Sequence, residues 1–154
     1  MTGYQETPSI NSGGTANLTL NVSSSQISFD LKFSGLSGPP SMAHVHVGQP
    51  GVAGAVSFFL CGGGSKPACP NSTSGEVTGT VTASDIMAIP AQGFDAGDLA
   101  SVEKAIAAGV TYANMHTQKF PGGEIRGQIV GGGHGMFGQG QDNQGQNQGQ
   151  GSGH

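Results

Sequence analysis

Residues 41–48 read SMAHVHVG and place His44 and His46 one valine apart. In an extended chain, side chains two residues apart project on the same face. The two imidazoles then share one patch of surface, while Ala43, Val45 and Val47 point the other way. A second segment, YANMHT, puts Tyr112, Asn114 and His116 on one face, opposite Ala113, Met115 and Thr117. If these two stretches are neighbouring strands, three imidazoles converge. Neutral imidazole binds copper, zinc and nickel, and three histidines leave a position for water, substrate or a fourth ligand. Met42, on the histidine face, and His134, beyond the last strand, are the candidates for that position. A set of thioether and imidazole donors favours copper, with zinc second. The competing reading is a structural cluster, each ring hydrogen-bonded to backbone or to a carboxylate such as Glu124.

Glu124 and Arg126, in GGEIRG, are also two residues apart, opposite Ile125. One expectation is an ion pair, or hydrogen bonds to loop carbonyls, that fastens the last strand, for which a bidentate arginine is suited. A second has Arg126 guiding an anion toward the histidines. Other chemistry finds little support. There is no G-x-S-x-G elbow, Asp95 and Asp98 sit where a helix would begin and read as caps, and no Gly-rich loop joins a strand to a helix with a lysine.

Stepping outward from these residues, period-two patterns mark the elements that carry them. TANLTLNV alternates Leu18, Leu20 and Val22 against Asn17, Thr19 and Asn21, and QISFDLKF alternates Ile27, Phe29, Leu31 and Phe33 against polar residues. Both predict half-buried antiparallel strands, joined as a hairpin through Ser23, Ser24 and Ser25. Further strands are expected at 42–47, 54–60, 75–82, 110–117 and 123–130, each bounded by Gly, Pro or Asn. About seven to eight short strands imply an all-β sandwich or barrel. Leu99, Val102 and Ile106 recur at helical spacing between Asp98 and Gly109, which predicts one short helix of about three turns. A weaker helical turn is expected from Ser84 or Asp85 to Pro90.

The chain has 154 residues, of which 29 are Gly, and only 9% are charged, with five Lys+Arg against nine Asp+Glu. So few cations cannot build a phosphate-binding stripe, which argues against nucleic acid. No apolar run approaches the length of a transmembrane helix. The N-terminus lacks a charged start followed by an apolar stretch, so no signal peptide is read and the chain is taken as a mature form. Cys61 and Cys69 lie in one Gly/Pro-rich loop able to fold back, which favours a disulfide and an oxidising compartment. Two free thiols or two soft metal ligands are the rival readings. Three N-x-[ST] triplets, at Asn17, Asn21 and Asn71, are compatible with export. From residue 131 the chain holds ten Gly and six Gln in twenty-four residues. Residues 1–130 are therefore expected to form one domain and 131–154 a disordered tail.

The segments ETPSINSGGTANLTL, LSGPPSMAHVHVGQPGVAG, YANMHT and PGGEIRGQI resemble, in order and spacing, the CHRD (chordin) domain family, including its secreted bacterial members. The resemblance runs from about Tyr4 to Val130. Met115 departs from it, since Val is usual there, and the Cys-flanked Gly-rich insertion occurs in a subset of bacterial members. The resemblance implies an extracellular, all-β, Greek-key sandwich of immunoglobulin- or superoxide-dismutase-like form. Joined to the residue reading, it gives three expectations for a secreted, periplasmic or cell-surface protein. The first is metal binding through His44, His46 and His116 in sequestration or delivery. The second is a non-catalytic module, contacting extracellular protein or matrix, with a structural histidine cluster. The third is a copper-dependent dismutase-like enzyme, which would need a second ligand cluster where only His134 and His154 remain.

Overall fold

The computed structural model describes residues 1–131; the expected tail, with His134 and His154, lies outside the described residues. Among the described residues, seven antiparallel strands form two sheets: β1 (Thr15–Val22), β2 (Ile27–Ser34), β3 (Pro40–Val47), β4 (Val56–Cys61), β5 (Gly75–Val81), β6 (Thr111–Thr117) and β7 (Ile125–Ile129). One sheet has the order β1-β2-β5 and the other β4-β3-β6-β7. The chain changes sheet between β2 and β3, between β4 and β5, and between β5 and β6. Strands β2 and β5 thus pair in one sheet while β3 and β6 pair in the other, a Greek-key interlock of an all-β sandwich.

The alternation in the sequence sets what is inside. Ile27, Phe29, Leu31 and Phe33 of β2 are buried, and they pack with Ala43, Val45, Phe58, Ala113, Met115 and Ile125 from the opposite sheet. A helix, α1 (Leu99–Ala107), closes one end with Leu99, Val102 and Ile106 buried. Asp98 caps it by accepting from the Ser101 N–H at 3.1 Å, and Gly109, at φ 75°, ends it in the left-handed conformation glycine tolerates. The weaker turn starts earlier than expected. Thr82, not Ser84 or Asp85, is its cap, and the Asp85 carboxylate accepts from the Thr82 N–H at 2.9 Å. This T-x-x-D box holds a single 3-10 turn, Ala83–Asp85, and Pro90 begins a separate one.

Strands β3 and β6 differ from the rest because both of their faces are covered. All seven residues of β6 are buried, as are the last five of β3. One face is the apolar core; the other carries the polar residues of HVH and YANMHT.

Glu124, just before β7, is fully buried and fastens the loops at one end. It accepts from the hydroxyls of Ser12 (2.8 Å), Thr117 (2.8 Å) and Ser37, and from the Ser37 N–H (3.0 Å). Burial would raise its pKa, but the hydrogen bonds from Ser37, Ser12 and Thr117 outweigh it and hold the carboxyl below its ordinary 4.5. Its stabilising contribution is therefore complete above pH 4.5 and lost as pH falls through the lower folded value. Glu124→Ala strands several donors and is expected to cost at least about 2 kcal/mol, with Glu124→Gln intermediate, in denaturant unfolding at pH 7. Equal stability of all three chains would contradict this role.

The disulfide joins Cys61, at the end of β4, to Cys69, with Cα atoms 5.0 Å apart and a sequence separation of 8. Closing so short a loop is worth roughly 2–3 kcal/mol by chain entropy. Verified reduction should lower the melting temperature by several degrees; an unchanged value would show that the bridge contributes nothing.

Candidate metal centre

Antiparallel pairing of β3 with β6 sets Met42 opposite His116, His44 opposite Asn114 and His46 opposite Tyr112. The period of two then brings His44, His46 and His116 together, with one ligand nitrogen from each lying within 4.8 Å of the others. All three are less than 9% exposed. The His44 ring meets His46 and His116 edge-on, at 4.5 and 4.6 Å between centroids, and rests against Phe59 of β4 at 5.1 Å.

Backbone carbonyls from two flanking loops orient two of the rings. His46 Nδ1 lies 2.9 Å from the Gly54 carbonyl, and His116 Nδ1 lies 2.8 Å from the Pro121 carbonyl. A carbonyl can only accept, so each Nδ1 carries the ring proton. The Nε2 atoms face Asn114 Oδ1, at 2.8 Å from His46 and 3.1 Å from His116. His44 Nδ1 is buried with no hydrogen-bond partner. Burial lowers the pKa of all three rings, that of His44 to about 3, assisted by its two histidine neighbours. The cluster is therefore neutral across the physiological range, which is the state in which imidazole binds a metal.

The loop that places Gly54 is held by β6 and β7. Tyr112 stacks on the His46 ring at 4.6 Å and 5°, and its hydroxyl donates to the Gly54 carbonyl (3.2 Å) and accepts from the Gly54 N–H (2.9 Å). A Cβ at residue 54 would collide with the Val47 carbonyl, so only glycine allows this approach. Arg126 lies over the other face of Tyr112 at 3.5 Å and donates to the carbonyls of Gln49 (3.0 Å) and Val52 (2.9 Å) and to the Thr7 hydroxyl. Its guanidinium is 2% exposed and committed to loop carbonyls. These contacts fasten loop 48–55 to β7.

Glu124 does not accept from any of the three histidines, contrary to the expectation from sequence; its oxygens are taken by Ser12, Ser37 and Thr117. The acceptors are the Gly54 and Pro121 carbonyls, which carry no sequence signature beyond the glycines and prolines of their loops. Two further neighbours went unread. Phe59 packs on His44, and the buried Glu6 accepts from Asn114 Nδ2 at 3.4 Å. Met42 sits beside the cluster in register but half-buried, and His134 lies outside the described residues. A cleft of about 210 Å³ lined by Glu6, Phe120, Pro121 and Gly123 abuts the groups that touch Asn114 and His116.

No curated protein and no solved structure matches the chain significantly. A family profile described as CHRD domain matches residues 1–129, which span both sheets and every residue of the histidine cluster. With that match the resemblance in the HVH, YANMHT and GGEIRG segments becomes membership, and the chain belongs to the CHRD domain family.

Proposed function

We propose that this protein is a secreted, periplasmic or cell-surface metal-binding protein that holds copper, or zinc as the alternative, through His44, His46 and His116, in sequestration or delivery. One observation carries the reading. Three neutral imidazoles present nitrogens within 4.8 Å of one another in a nearly buried pocket, two of them with the proton fixed on Nδ1 and the Nε2 lone pair turned inward. Burying three rings together costs desolvation, and His44 Nδ1 has no hydrogen-bond partner among the described residues to offset its share. A bound cation would supply the missing partner. Imidazole donors suit Cu(II) and Zn(II), and Cu(I) would be favoured if Met42 approaches. The CHRD domain and the disulfide both fit an extracellular protein, and no helix among the described residues is long and apolar enough to cross a membrane.

A second reading treats the cluster as structural, in a module that contacts extracellular protein or matrix. Asn114 favours it, because its amide touches the rings and, turned over so that Nδ2 faces them, can serve as their common hydrogen-bond donor. The two readings differ in metal uptake.

In calorimetric titration with Cu(II) and Zn(II), replacing His44, His46 or His116 by Ala should weaken binding by at least about 100-fold, judged against the 10–100-fold that removal of supporting groups costs. A chain ending at Gly131, without His134 and His154, should bind as the full chain does. If the truncated chain loses binding while the three Ala variants keep it, the strand cluster is structural.

The pH dependence has a determinate sign. Protons displace a metal from free imidazole as pH falls through about 6.5, but these folded rings lie below that value, so binding should persist at pH 6 and decline only in more acidic solution. The metal-free protein behaves in the complementary way. Its unfolded histidines take up protons below about 6.5 while the folded ones do not, so stability should fall as pH drops from 6.5 toward 3. His44→Phe should flatten that slope in unfolding measurements between pH 7 and pH 4; an unaltered slope would show that His44 is not held neutral.

A further inference from the structure

The hydrogen inventory of the cluster leaves one atom unexplained. His46 and His116 each spend their single ring proton on a backbone carbonyl, at 2.9 and 2.8 Å. Their Nε2 atoms are therefore lone pairs, yet both face the same acceptor, Asn114 Oδ1, at 2.8 and 3.1 Å. Neither His46, His116 nor the amide supplies a proton between these three electron pairs, and the His44 ring, hydrogen-bonded to Asn114, has a single one to offer. The amide is turned this way because its Nδ2 lies 3.4 Å from Glu6 Oε1 and donates to it. Asn114 also stands directly opposite His44 in the ladder, where the buried His44 Nδ1 has no partner. Buried acceptors facing one another are unfavourable unless a donor or a cation lies between them.

We propose that Asn114 Oδ1 is the fourth protein donor of the metal site, closing the set His44, His46, His116 and Asn114 without an open position for water or substrate. The inference rests on the metal-binding reading above and sharpens it. Sites with four protein ligands hold a metal, whereas sites with three keep a position for reaction, so a closed set assigns storage or delivery over turnover. The fourth position then requires neither the Met42 thioether nor His134. The competing arrangement turns the amide over, so that Nδ2 donates to both Nε2 atoms and a protonated Glu6 donates to Oδ1. It uses every hydrogen and has no need of a metal.

Azide separates these cases, because it enters an open coordination position and changes the visible spectrum of Co(II) or Cu(II). The full chain, loaded with Co(II) and separately with Cu(II), should show no spectral response to azide. Asn114→Ala should bind either metal more weakly, by about 10–100-fold or more, and acquire an azide response; Asn114→Asp should keep the position closed. Met42→Leu should leave the parent behaviour unchanged. An azide response in the parent, or an Asn114→Ala variant with unaltered affinity and spectrum, overturns the proposal while the three-histidine reading stands. Opening of the site by Met42→Leu overturns it in favour of the thioether. Failure of the parent to take up either metal removes the metal reading itself and leaves the overturned amide. If Asn114→Ala does not fold, the azide response of the parent decides.

Discussion

Everything around the histidine cluster depends on one constraint: a polar layer buried on the outer face of a sheet must account for every hydrogen it carries. Strands β3 and β6 bury both faces, and only the inner one is apolar. On the outer face the strands offer side chains but no spare backbone groups, since those are consumed in the ladder. The partners must come from loops. Loop 48–55 supplies the Gly54 carbonyl, the turn before β7 supplies that of Pro121, and the N-terminal segment supplies Glu6. The chain's Gly- and Pro-rich connections therefore supply the hydrogen-bond complement of the cluster.

The loops in turn are held by buried charges. Arg126 fastens the loop that orients His46, and Glu124 gathers the Ser12, Ser37 and Thr117 hydroxyls at the other end. The two are neighbours in sequence around Ile125, and their side chains enter separate networks. Each is a buried ion whose ordinary partner, an opposite charge, is replaced by neutral dipoles. A carboxylate with several hydroxyl and amide donors, or a guanidinium with carbonyl acceptors and an aromatic face, recovers much of the desolvation cost. Such an arrangement is directional, so it fixes loop geometry in a way that a purely apolar contact does not.

Much of the fold was legible because alternation has only two phases. In β1 and β2 the polar and apolar residues separate cleanly, and a one-residue slip would expose Phe29, Leu31 and Phe33. The same phase put His44 with His46 and Asn114 with His116, and the burial of both YANMHT faces turns that shared phase into a shared site. What stayed hidden has a physical cause. Acceptors such as the Gly54 carbonyl belong to the backbone and have no residue identity. Glu124 reads as a histidine partner from its position beside β6, but the loops that reach it first come from residues 12 and 37, which the sequence separates from it by about a hundred positions. The Thr82 cap was missed because Ser84 and Asp85 carry equally good capping side chains, and only the return bond from Asp85 selects among them.

Anchoring determines which nitrogen of a histidine is available, and here the anchoring is not uniform. His46 on β3 and His116 on β6 are fixed through Nδ1 by carbonyls from two different loops, so both Nε2 atoms meet at Asn114. His44 lacks such a carbonyl on Nδ1; it is packed by Phe59 and the other two rings and hydrogen-bonded to Asn114. With no carbonyl to fix its tautomer, this ring can carry its proton on either nitrogen. The disulfide loop bears on that ring through Phe59, since Gly63 and Gly64 lie against the Phe59 side chain. The loop closed by the Cys61–Cys69 bridge is thus one side chain removed from the ring of the polar layer that no carbonyl anchors.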